Sequence, residues 1–303
     1  MLNDSIRVFL TVVDKKSFSK EAKALFLTQP AVSFQIQMLE EYYGTRLFDR
    51  VSRNITLTEA GHLLLQYANK MSKLQSELER EMQELTGTIK GRLLIGASTT
   101  IGEYIVPYLL GAFKRKYPEV EISLEVANTE DIETKIHDTS LDIGLVEGPV
   151  SAKDIEKDVF LKDQLVLIIS HDHPWAKQEK ISVFELDKYP FISREKGSGT
   201  RIETEQHLKK VGFSANNLNV IMELGSTSAI KAAVESGLGM SIISKWAAKE
   251  KVKLGHLAQV GFKEDNFERE FAVIYHKKKF RTQAAEEFLR FVKSEEALEL
   301  LEA

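Results

Sequence analysis

The sequence predicts a multidomain fold that joins an α-helical part to an α/β part, and three observations support this. Residues 1–58 carry apolar residues at helical spacings, followed by a short hairpin pattern. Residues 62–86 contain neither proline nor glycine, which favours one long helix. From residue 91 on, apolar runs of strand length alternate with helical segments, which is typical of an α/β fold.

Length and composition limit the classes of protein to consider. The 303 residues suffice for two or three domains, and 43% hydrophobic with 28% charged residues is ordinary for a globular chain. The absence of cysteine excludes disulfides, thiolate metal sites and cysteine nucleophiles. No apolar run approaches about 18 residues, and residues 1–14 have the pattern of a helix and not of a signal peptide. We therefore expect a soluble cytoplasmic protein that does not bind membranes.

The net charge of -4 gives the chain no overall attraction to nucleic acid. Any binding to DNA has to come from where individual side chains lie. Residues 1–16 predict an amphipathic helix whose inner face is formed by Ile6, Phe9, Leu10 and Val13. We expect this helix to complete a helical core beneath the segments that follow.

The next segment predicts a short helix, a tight break and a second helix. Ser19 is a candidate N-cap of the short helix, in which Ala22, Leu25 and Phe26 share one face. Leu27–Thr28 forms the break. Two helices joined in this way predict a helix-turn-helix.

The second helix carries the side chains suited to reading DNA. Thr28 is its candidate N-cap, and Pro30 lies in the first turn, where a missing backbone N–H costs nothing. Val32, Ile36 and Leu39 form one buried stripe. The opposite face carries short uncharged side chains that can pair with base edges in a major groove, namely Gln29, Ser33, Gln35 and Gln37.

A two-stranded hairpin follows Gly44. Residues 46–50 and 53–56 alternate as its strands, and its tip at residues 51–54 presents Arg53. Such a hairpin beside a helix-turn-helix is a wing, and its arginines suit phosphates or a narrow minor groove.

These motifs resemble the amino-terminal signature of LysR-type transcriptional regulators. The resemblance covers the run S-F-S-x-x-A-x-x-L-x-x-x-Q-P-A-V-S-x-Q-I-x-x-L-E at residues 17–40 and G-x-x-L-F-x-R-x-x-R-x-x-x-L-T-x-A-G at residues 44–61. The position after Ser33 is often basic or polar in that family and is Phe34 here. The resemblance implies a winged helix-turn-helix that binds double-stranded DNA through Gln29, Pro30, Ala31, Ser33, Phe34, Gln37, Arg50 and Arg53.

The long helix begins after Thr58, a candidate N-cap, and carries a seven-residue repeat. Leu64, Met71, Leu78 and Leu85 recur at this spacing, with Tyr67 and Leu74 at the alternate core positions. The narrow apolar stripe predicts a seam for the same helix of a second subunit. The alternative is that the helix packs on its own domain. A dimer would present two helix-turn-helix units to a two-fold-related DNA site.

Residues 86–91 have the composition of a hinge, and strands and helices alternate beyond it. Strands are expected at residues 92–97, 121–126, 141–146, 164–170, 191–193, 219–223, 240–244 and 269–275, and helices at residues 105–113, 132–137, 200–211, 228–236 and 282–293. This order predicts a mostly parallel sheet with helices on its faces.

The family resemblance implies that the last strand and helix return to the first of two α/β lobes, as in a periplasmic binding protein. The expected domains are then a DNA-binding domain at residues 1–58, a linker helix with hinge at 59–88 and an effector-binding domain at 89–303. Lobe I would comprise residues 89–161 and 267–303, and lobe II residues 162–266.

Small polar residues follow the predicted strands where helices begin, and ligands collect at that edge of an α/β sheet. Helix N-termini there favour a small anion, and Arg201 could add a bidentate contact. The alternative is that these residues are ordinary helix caps. The candidate effector-binding residues are Ser98, Thr99, Thr100, Asn128, Thr129, Gly199, Thr200, Arg201, Ser226 and Thr227. The G-S-G-T-R run at 197–201 resembles that of regulators of sulfur assimilation or carbon fixation, which suggests an inorganic oxyanion or an acidic metabolite.

Other motifs carry less weight. The stretch His171–His173 resembles a turn common in this family more than a metal site, and no P-loop, dinucleotide fingerprint or G-x-S-x-G motif occurs. We therefore expect no cofactor, no metal and no enzymatic activity. The resemblance implies a dimer or dimer of dimers that contacts RNA polymerase. A binding protein for transport and an α/β enzyme with an accessory DNA domain remain the alternatives.

Overall fold

The structure is a computed structural model that describes residues 2–15, 28–49, 56–86, 89–277, 279 and 281–302. The chain divides into two compact units, Met1–Thr88 and Ile89–Ala303, and each is described by itself. Among the described residues, no helix combines the length and the apolar character needed to cross a membrane.

The N-terminal unit contains three described helices and a short hairpin. They are α1 (Leu2–Lys15), α2 (Gln29–Tyr43), β1 (Phe48–Asp49), β2 (Thr56–Leu57) and α3 (Glu59–Thr86). β1 and β2 pair antiparallel, with Phe48 opposite Leu57. The short helix expected at residues 19–26 lies outside the described residues, as does the hairpin tip at 51–54.

One core holds this unit together. The stripe Val32, Ile36 and Leu39 of α2 is buried as predicted and packs with Phe9 and Phe48, whose ring centroids lie 5.3 Å apart. On α1, the predicted Ile6 and Phe9 are buried, and the core also includes Val8 and Val12, whereas Leu10 and Val13 are half-buried at its edge. Removing each such aliphatic side chain from water stabilises the unit by roughly 1.5–3 kcal/mol.

The C-terminal end of α2 and the start of α3 are fixed by local hydrogen bonds. Thr28 occupies the N-cap position of α2 with an extended backbone, as predicted, but its side chain accepts no capping hydrogen bond. Gly44 ends the helix at φ 66°, a left-handed conformation that suits glycine. Thr58 does cap α3, because its hydroxyl accepts from the Gly61 N–H at 3.0 Å and donates to the Arg46 carbonyl at 2.6 Å.

The long helix α3 divides into a buried and an exposed part. Leu64, predicted to lie on a seam between subunits, is 8% exposed and belongs with Ala68 to the core of its own unit. The seam prediction was therefore wrong at this position, because the first turns of α3 cover α1. Farther along, Met71, Leu74 and Leu78 are 43%, 64% and 60% exposed. The side chain of Leu85 lies outside the described residues.

The C-terminal unit is built on strands and helices in alternation. Its strands are β3 (Gly91–Ser98), β4 (Val120–Ala127), β5 (Ile143–Glu147), β6 (Ile155–Ser170), β7 (Lys180–Ile181), β8 (Pro190–Arg194), β9 (Asn219–Leu224), β10 (Ser241–Ser244), β11 (Leu257–Phe262) and β12 (Glu268–His276). Its α-helices are α4 (Thr99–Tyr104), α5 (Val106–Lys116), α6 (Thr129–His137), α7 (Gly199–Lys210), α8 (Thr227–Glu235), α9 (Lys245–Lys253), α10 (Gln283–Val292) and α11 (Glu295–Glu302). Two 3-10 helices span Val183–Lys188 and Ala215–Asn217.

The strand order corrects the expected parallel sheet. The main sheet runs β4-β3-β5-β12-β6-β11-β7, with β10 also paired to β6, while β8 and β9 form a separate parallel pair. β3 is parallel to β4 and β5, but β12 is antiparallel to both β5 and β6. The sheet is therefore mixed, because β6 and β12 carry the chain across the unit in opposite directions.

Strand β6 is shared by two hydrophobic cores. Its first half pairs with β12, and its second half pairs with β10 and β11. One core gathers residues of β3, β5, α5 and α10, and the other gathers residues of β6, β8, β10 and β11. We use the names lobe I for residues 89–161 and 267–303 and lobe II for residues 162–266.

The helix expected through residues 105–113 is found as α5, and a separate short helix, α4, precedes it. α4 ends and α5 begins at Ile105, whose backbone angles are φ -118° and ψ -57°. Pro107 lies in the first turn of α5 and has no N–H to donate, so a continuous helix would lose a hydrogen bond there. The break leaves α4 as a short helix directly after β3.

Candidate functional site

The face of α2 expected to read DNA points outward. Gln29, Pro30 and Gln37 are exposed, Phe34 is 59% exposed, and Ser33 is half-buried. Gln29 Nε2 donates to Ser33 Oγ at 3.0 Å, so these two side chains form one polar surface. Gln37 Nε2 donates to a neighbouring carboxylate, Oε1 of Glu41, at 2.9 Å. Ala31, the smallest of the predicted contacts, is half-buried.

Gln35 does not belong to this outward face. Its Oε1 accepts a hydrogen bond from the hydroxyl of Ser5, which is buried on α1. Gln35 therefore ties α2 to α1, and its prediction as an outward side chain was wrong. It lies beside the stripe of Val32 and Ile36 on the helix, which is why it faces α1.

No lysine or arginine lies on α2 itself. Positive charge for phosphates has to come from other segments of the unit. Arg46 is exposed just before β1. Arg50 and Arg53, the predicted wing arginines, lie outside the described residues.

In the C-terminal unit, hydroxyl groups from both lobes meet around the carboxylate of Glu147. Ser98 ends β3, Glu147 ends β5, and Thr200 lies in the first turn of α7. The Ser98 hydroxyl donates to Glu147 Oε2, and the Thr200 hydroxyl donates to Oε1 at 3.2 Å. The Thr100 hydroxyl lies 3.4 Å from that of Thr200, and the Thr129 hydroxyl donates to the Glu147 carbonyl at 3.0 Å. All five residues are buried.

A glycine permits this close approach of the two lobes. A Cβ on Gly199 would lie 2.2 Å from the Glu147 carbonyl oxygen and 2.6 Å from Thr129 Oγ1, distances that real Cβ atoms do not adopt. Gly148, at φ 90°, lies against the backbone of Gly199. The second glycine of the G-S-G-T-R run therefore lets the N-terminus of α7 contact the end of β5.

A buried ion pair adjoins the hydroxyl cluster. Arg269 Nε donates to Asp163 Oδ2 at 2.7 Å, and both side chains are 0% exposed. Arg269 Nη1 donates to Thr200 Oγ1 at 3.0 Å and lies 3.8 Å from Glu147 Oε1. Among the described residues, Arg269 Nη2 is buried and has no hydrogen-bond partner. A ligand oxygen in the site could accept from this nitrogen.

Asp163 is an acid in an apolar setting. Burial raises the pKa of its carboxyl above the usual value, and the Arg269 guanidinium and the Ser244 hydroxyl oppose this without cancelling it. Ser244 Oγ donates to Asp163 Oδ1 at 2.9 Å. The pair thus connects β6, β10 and β12 at the place where the chain passes between the lobes.

Thr99 and Thr227 contact a different arginine. Arg194, which is 4% exposed, donates from Nη2 to Thr99 Oγ1 at 3.3 Å and from Nη1 to Thr227 Oγ1 at 3.1 Å. It also makes two 2.8 Å bonds to Glu195. These threonines therefore link the lobes through a neutralised guanidinium and lie beside the hydroxyl cluster without joining it.

The remaining predicted residues act as caps or surface pairs. Asn128 Oδ1 accepts from the Asp131 N–H at 2.8 Å, and Ser226 Oγ accepts from the Ala229 N–H at 3.4 Å. Arg201 donates from Nη1 to Glu223 at 2.6 Å and from Nε to Glu205 at 2.8 Å. The structure does not bring these three side chains to the hydroxyl cluster.

Around His171–His173, the described residues do not form a cluster of metal ligands. His173 Nδ1 accepts from the Trp175 N–H at 3.1 Å, and its ring packs against Trp175 and Tyr189. Burial lowers the pKa of His173. Across the described ranges, no three potential metal-ligating side chains group together.

Sequence reasoning missed the acids and arginines at the centre of the site. Glu147 is a single acid after an apolar strand, and a change from apolar to acidic at a strand end is the signal that could have identified it. Arg269 and Asp163 are separated by 106 positions and share no motif.

Comparison with known proteins gives matches over most of the chain. Residues 3–62 match the family described as bacterial regulatory helix-turn-helix protein, lysR family, and residues 86–297 match the LysR substrate binding domain. The HTH-type transcriptional activator CmpR of Synechocystis sp. is 37% identical over 287 residues, covering 94% of this chain and 92% of CmpR. The HTH-type transcriptional regulator CysL of Bacillus subtilis is 31% identical over 301 residues, covering 99% of this chain and 100% of CysL. Among solved structures, the Synechocystis PCC6803 CcmR regulatory domain in complex with 2-PG aligns with a TM-score of 0.62 at 32% identity, over 67% of this chain and 96% of that chain.

Proposed function

The chain belongs to the LysR family of bacterial transcriptional regulators, and from this premise we propose that a small anion bound between lobes I and II controls its action on DNA. The observation that carries the proposal is the convergence of the Ser98, Thr100 and Thr200 hydroxyls at one buried point between the lobes. Hydroxyl donors beside a helix N-terminus suit an oxyanion. The solved complex of the similar CcmR domain with 2-PG favours the same class of ligand.

The candidate residues fall into four groups by their proposed role. Ser98, Thr100 and Thr200 touch the ligand directly, and Thr129 with Gly199 shapes the space around it. Thr99 and Thr227 act through Arg194, while Asn128, Arg201 and Ser226 stabilise the helices that surround the site. The ligand shifts the lobes only to the extent that it binds one lobe arrangement more tightly than the other.

For DNA, we propose that α2 enters the major groove. Its exposed Gln29 and Gln37, with Ser33, supply donors and acceptors for base edges, and Pro30, Ala31 and Phe34 supply apolar contact. Arg50 and Arg53 are proposed to contact the backbone or minor groove.

We further propose that α3 joins two subunits. The exposed apolar side chains Met71, Leu74, Leu78 and Met82 recur at spacings of three and four, which suits a partner helix. Assembly into a dimer or a dimer of dimers, contact with RNA polymerase and a cytoplasmic location are proposals that follow from family membership.

The substitution Thr100→Val tests the effector site. It keeps the side-chain shape and removes one donor, so the affinity for sulfate or 2-PG should fall at least tenfold, by isothermal titration calorimetry on the full chain. Binding to a DNA fragment selected from random sequence should not change. Thr134→Val, on the exposed side of α6, is the matched control. Equal ligand affinity in the wild type and Thr100→Val would contradict the proposed site.

A further inference from the structure

The proposed anion site already contains an anion. The Glu147 carboxylate is 2% exposed and accepts hydrogen bonds from Ser98 on lobe I and from Thr200 on lobe II, the latter at 3.2 Å. These are the hydroxyl donors that an effector oxyanion would need. The Glu147 carboxylate therefore occupies the position proposed for the ligand.

The nearby positive charge does not neutralise this carboxylate. Arg269 Nη1 lies 3.8 Å from Glu147 Oε1, but the same guanidinium bonds Asp163 at 2.7 Å. The single positive charge of Arg269 therefore faces two carboxyl groups, those of Asp163 and Glu147. Arg194 supplies no further positive charge to Glu147, because Glu195 pairs with Arg194 through two bonds of 2.8 Å.

An anion that entered while Glu147 kept its place would meet a like charge in a site from which water is excluded. Coulomb repulsion at about 4 Å is several-fold stronger in such a site than in bulk water. The ligand and Glu147 would also compete for the same two hydroxyl protons. Both effects disfavour simultaneous occupation.

We propose that Glu147 is a built-in competitor of the effector, and this rests on the anionic effector proposed above. In the effector-free protein its carboxylate takes the hydroxyls of Ser98 and Thr200 and thereby links lobe I to lobe II. The effector binds by taking these donors from Glu147, which releases the link. Glu147 thus sets the concentration at which the regulator responds and couples binding to a change between the lobes.

The first test is Glu147→Gln, measured by titration of the full chain with sulfate and with 2-PG. Glutamine keeps the shape and removes the charge, so at least one of the two anions should bind at least tenfold more tightly than to the wild type. The matched control is Glu130→Gln, which removes an exposed carboxylate beside Gly197 and should change affinity less than twofold. If anions bind the wild type and Glu147→Gln equally well, or if Glu130→Gln has the same effect, the inference is overturned.

The second test does not depend on the effector. In Glu147→Ala the missing carboxylate leaves room that acetate can fill, so acetate should raise the Tm of this variant and restore part of the stability lost. The wild type and Glu130→Ala should show no comparable rise. A rise of equal size in all three proteins, or in none, overturns the inference. Absence of sulfate and 2-PG binding in every variant, together with acetate binding by Glu147→Ala, refutes the proposed effectors and supports the role of Glu147.

Discussion

The buried pair of Asp163 and Arg269 yields a prediction with a definite size. Both side chains are 0% exposed and their bond is 2.7 Å long, so Asp163→Asn removes the carboxylate that bonds the Arg269 guanidinium and leaves only Glu147, 3.8 Å away, to face the buried charge. Arginine cannot give up its proton in a protein. Breaking a buried pair in this way costs about 3–5 kcal/mol.

The two tryptophans of the chain make the measurement specific. Trp175 and Trp246 both lie in the unit Ile89–Ala303, so fluorescence reports the unfolding of that unit alone. With a urea dependence of about 3 kcal/mol per molar, the midpoint should fall by about 1 M or more. Because the pKa of Asp163 is raised, the wild type loses stability as pH rises above the unfolded pKa of about 4, so the loss caused by Asp163→Asn should be no larger at pH 8 than at pH 5.

Arg269→Met is the informative counterpart. It removes the arginine partner of Asp163, whose pKa is raised by burial, so the folded protein binds the Asp163 proton more tightly than the unfolded chain does. The cost is then absent below the unfolded pKa of about 4 and grows as pH rises toward the folded pKa. A midpoint for Asp163→Asn within about 0.3 M urea of the wild type, or no pH dependence in Arg269→Met, would refute the description of this pair as a buried and desolvated contact.

Three further predictions concern DNA binding, assembly and pH. Arg53→Ala should lower affinity for all DNA sequences and reduce the salt slope by about one, and an unchanged gel-shift salt series would contradict the wing. Leu74→Glu should weaken the subunit association at least tenfold in sedimentation equilibrium, whereas Asn69→Glu, exposed on another face of α3, should not; equal effects would contradict the proposed seam. Lys293 lowers the pKa of Asp158, so Asp158→Asn should cost well under about 1 kcal/mol at neutral pH, and this difference should vanish as pH falls through the folded pKa; a loss that persists in acid would contradict the pairing.

Local sequence patterns were sufficient to predict the helices and strands that have a regular spacing of apolar residues. The buried stripe of Val32, Ile36 and Leu39 follows from helical periodicity alone, and Thr58 follows from capping chemistry. Most strands and helices of the C-terminal unit lie within a few residues of their predicted bounds. In these segments, the neighbours that decide the structure are close in sequence.

Long-range pairing accounts for what the sequence analysis missed. No strand was expected at β11, which pairs with the distant second half of β6. The antiparallel direction of β12 depends on the second passage of the chain between the lobes, which no local pattern records. Gln35 has the composition of a surface residue, and its bond to Ser5 depends on how α1 packs.

The same limit applies to the candidate site. The hydroxyl residues Ser98 and Thr200 could be predicted because each begins a helix at the edge of a sheet. Glu147 was missed, since the acid at the end of β5 gains its role only from two hydroxyls that lie 49 and 53 positions away in the chain. The expectation of an anion in the site remains a prediction, now with a protein carboxylate as its competitor.

Strand β6 pairs with strands of both lobes, and this restricts how the lobes can move relative to each other. Its ladder to β12 runs from Ile155 opposite His276 to Gln164 opposite Glu268 with one register shift at Phe271–Ala272, and the next residue of β6, Leu165, already pairs with β10. Pulling the lobes apart would break the backbone hydrogen bonds that β6 makes with β10, β11 and β12. Twisting these strands about their long axis would preserve the bonds. Ligand binding should therefore rotate lobe I relative to lobe II about the long axis of this ladder, and the displacement should be largest at the ends of the lobes that lie farthest from that axis.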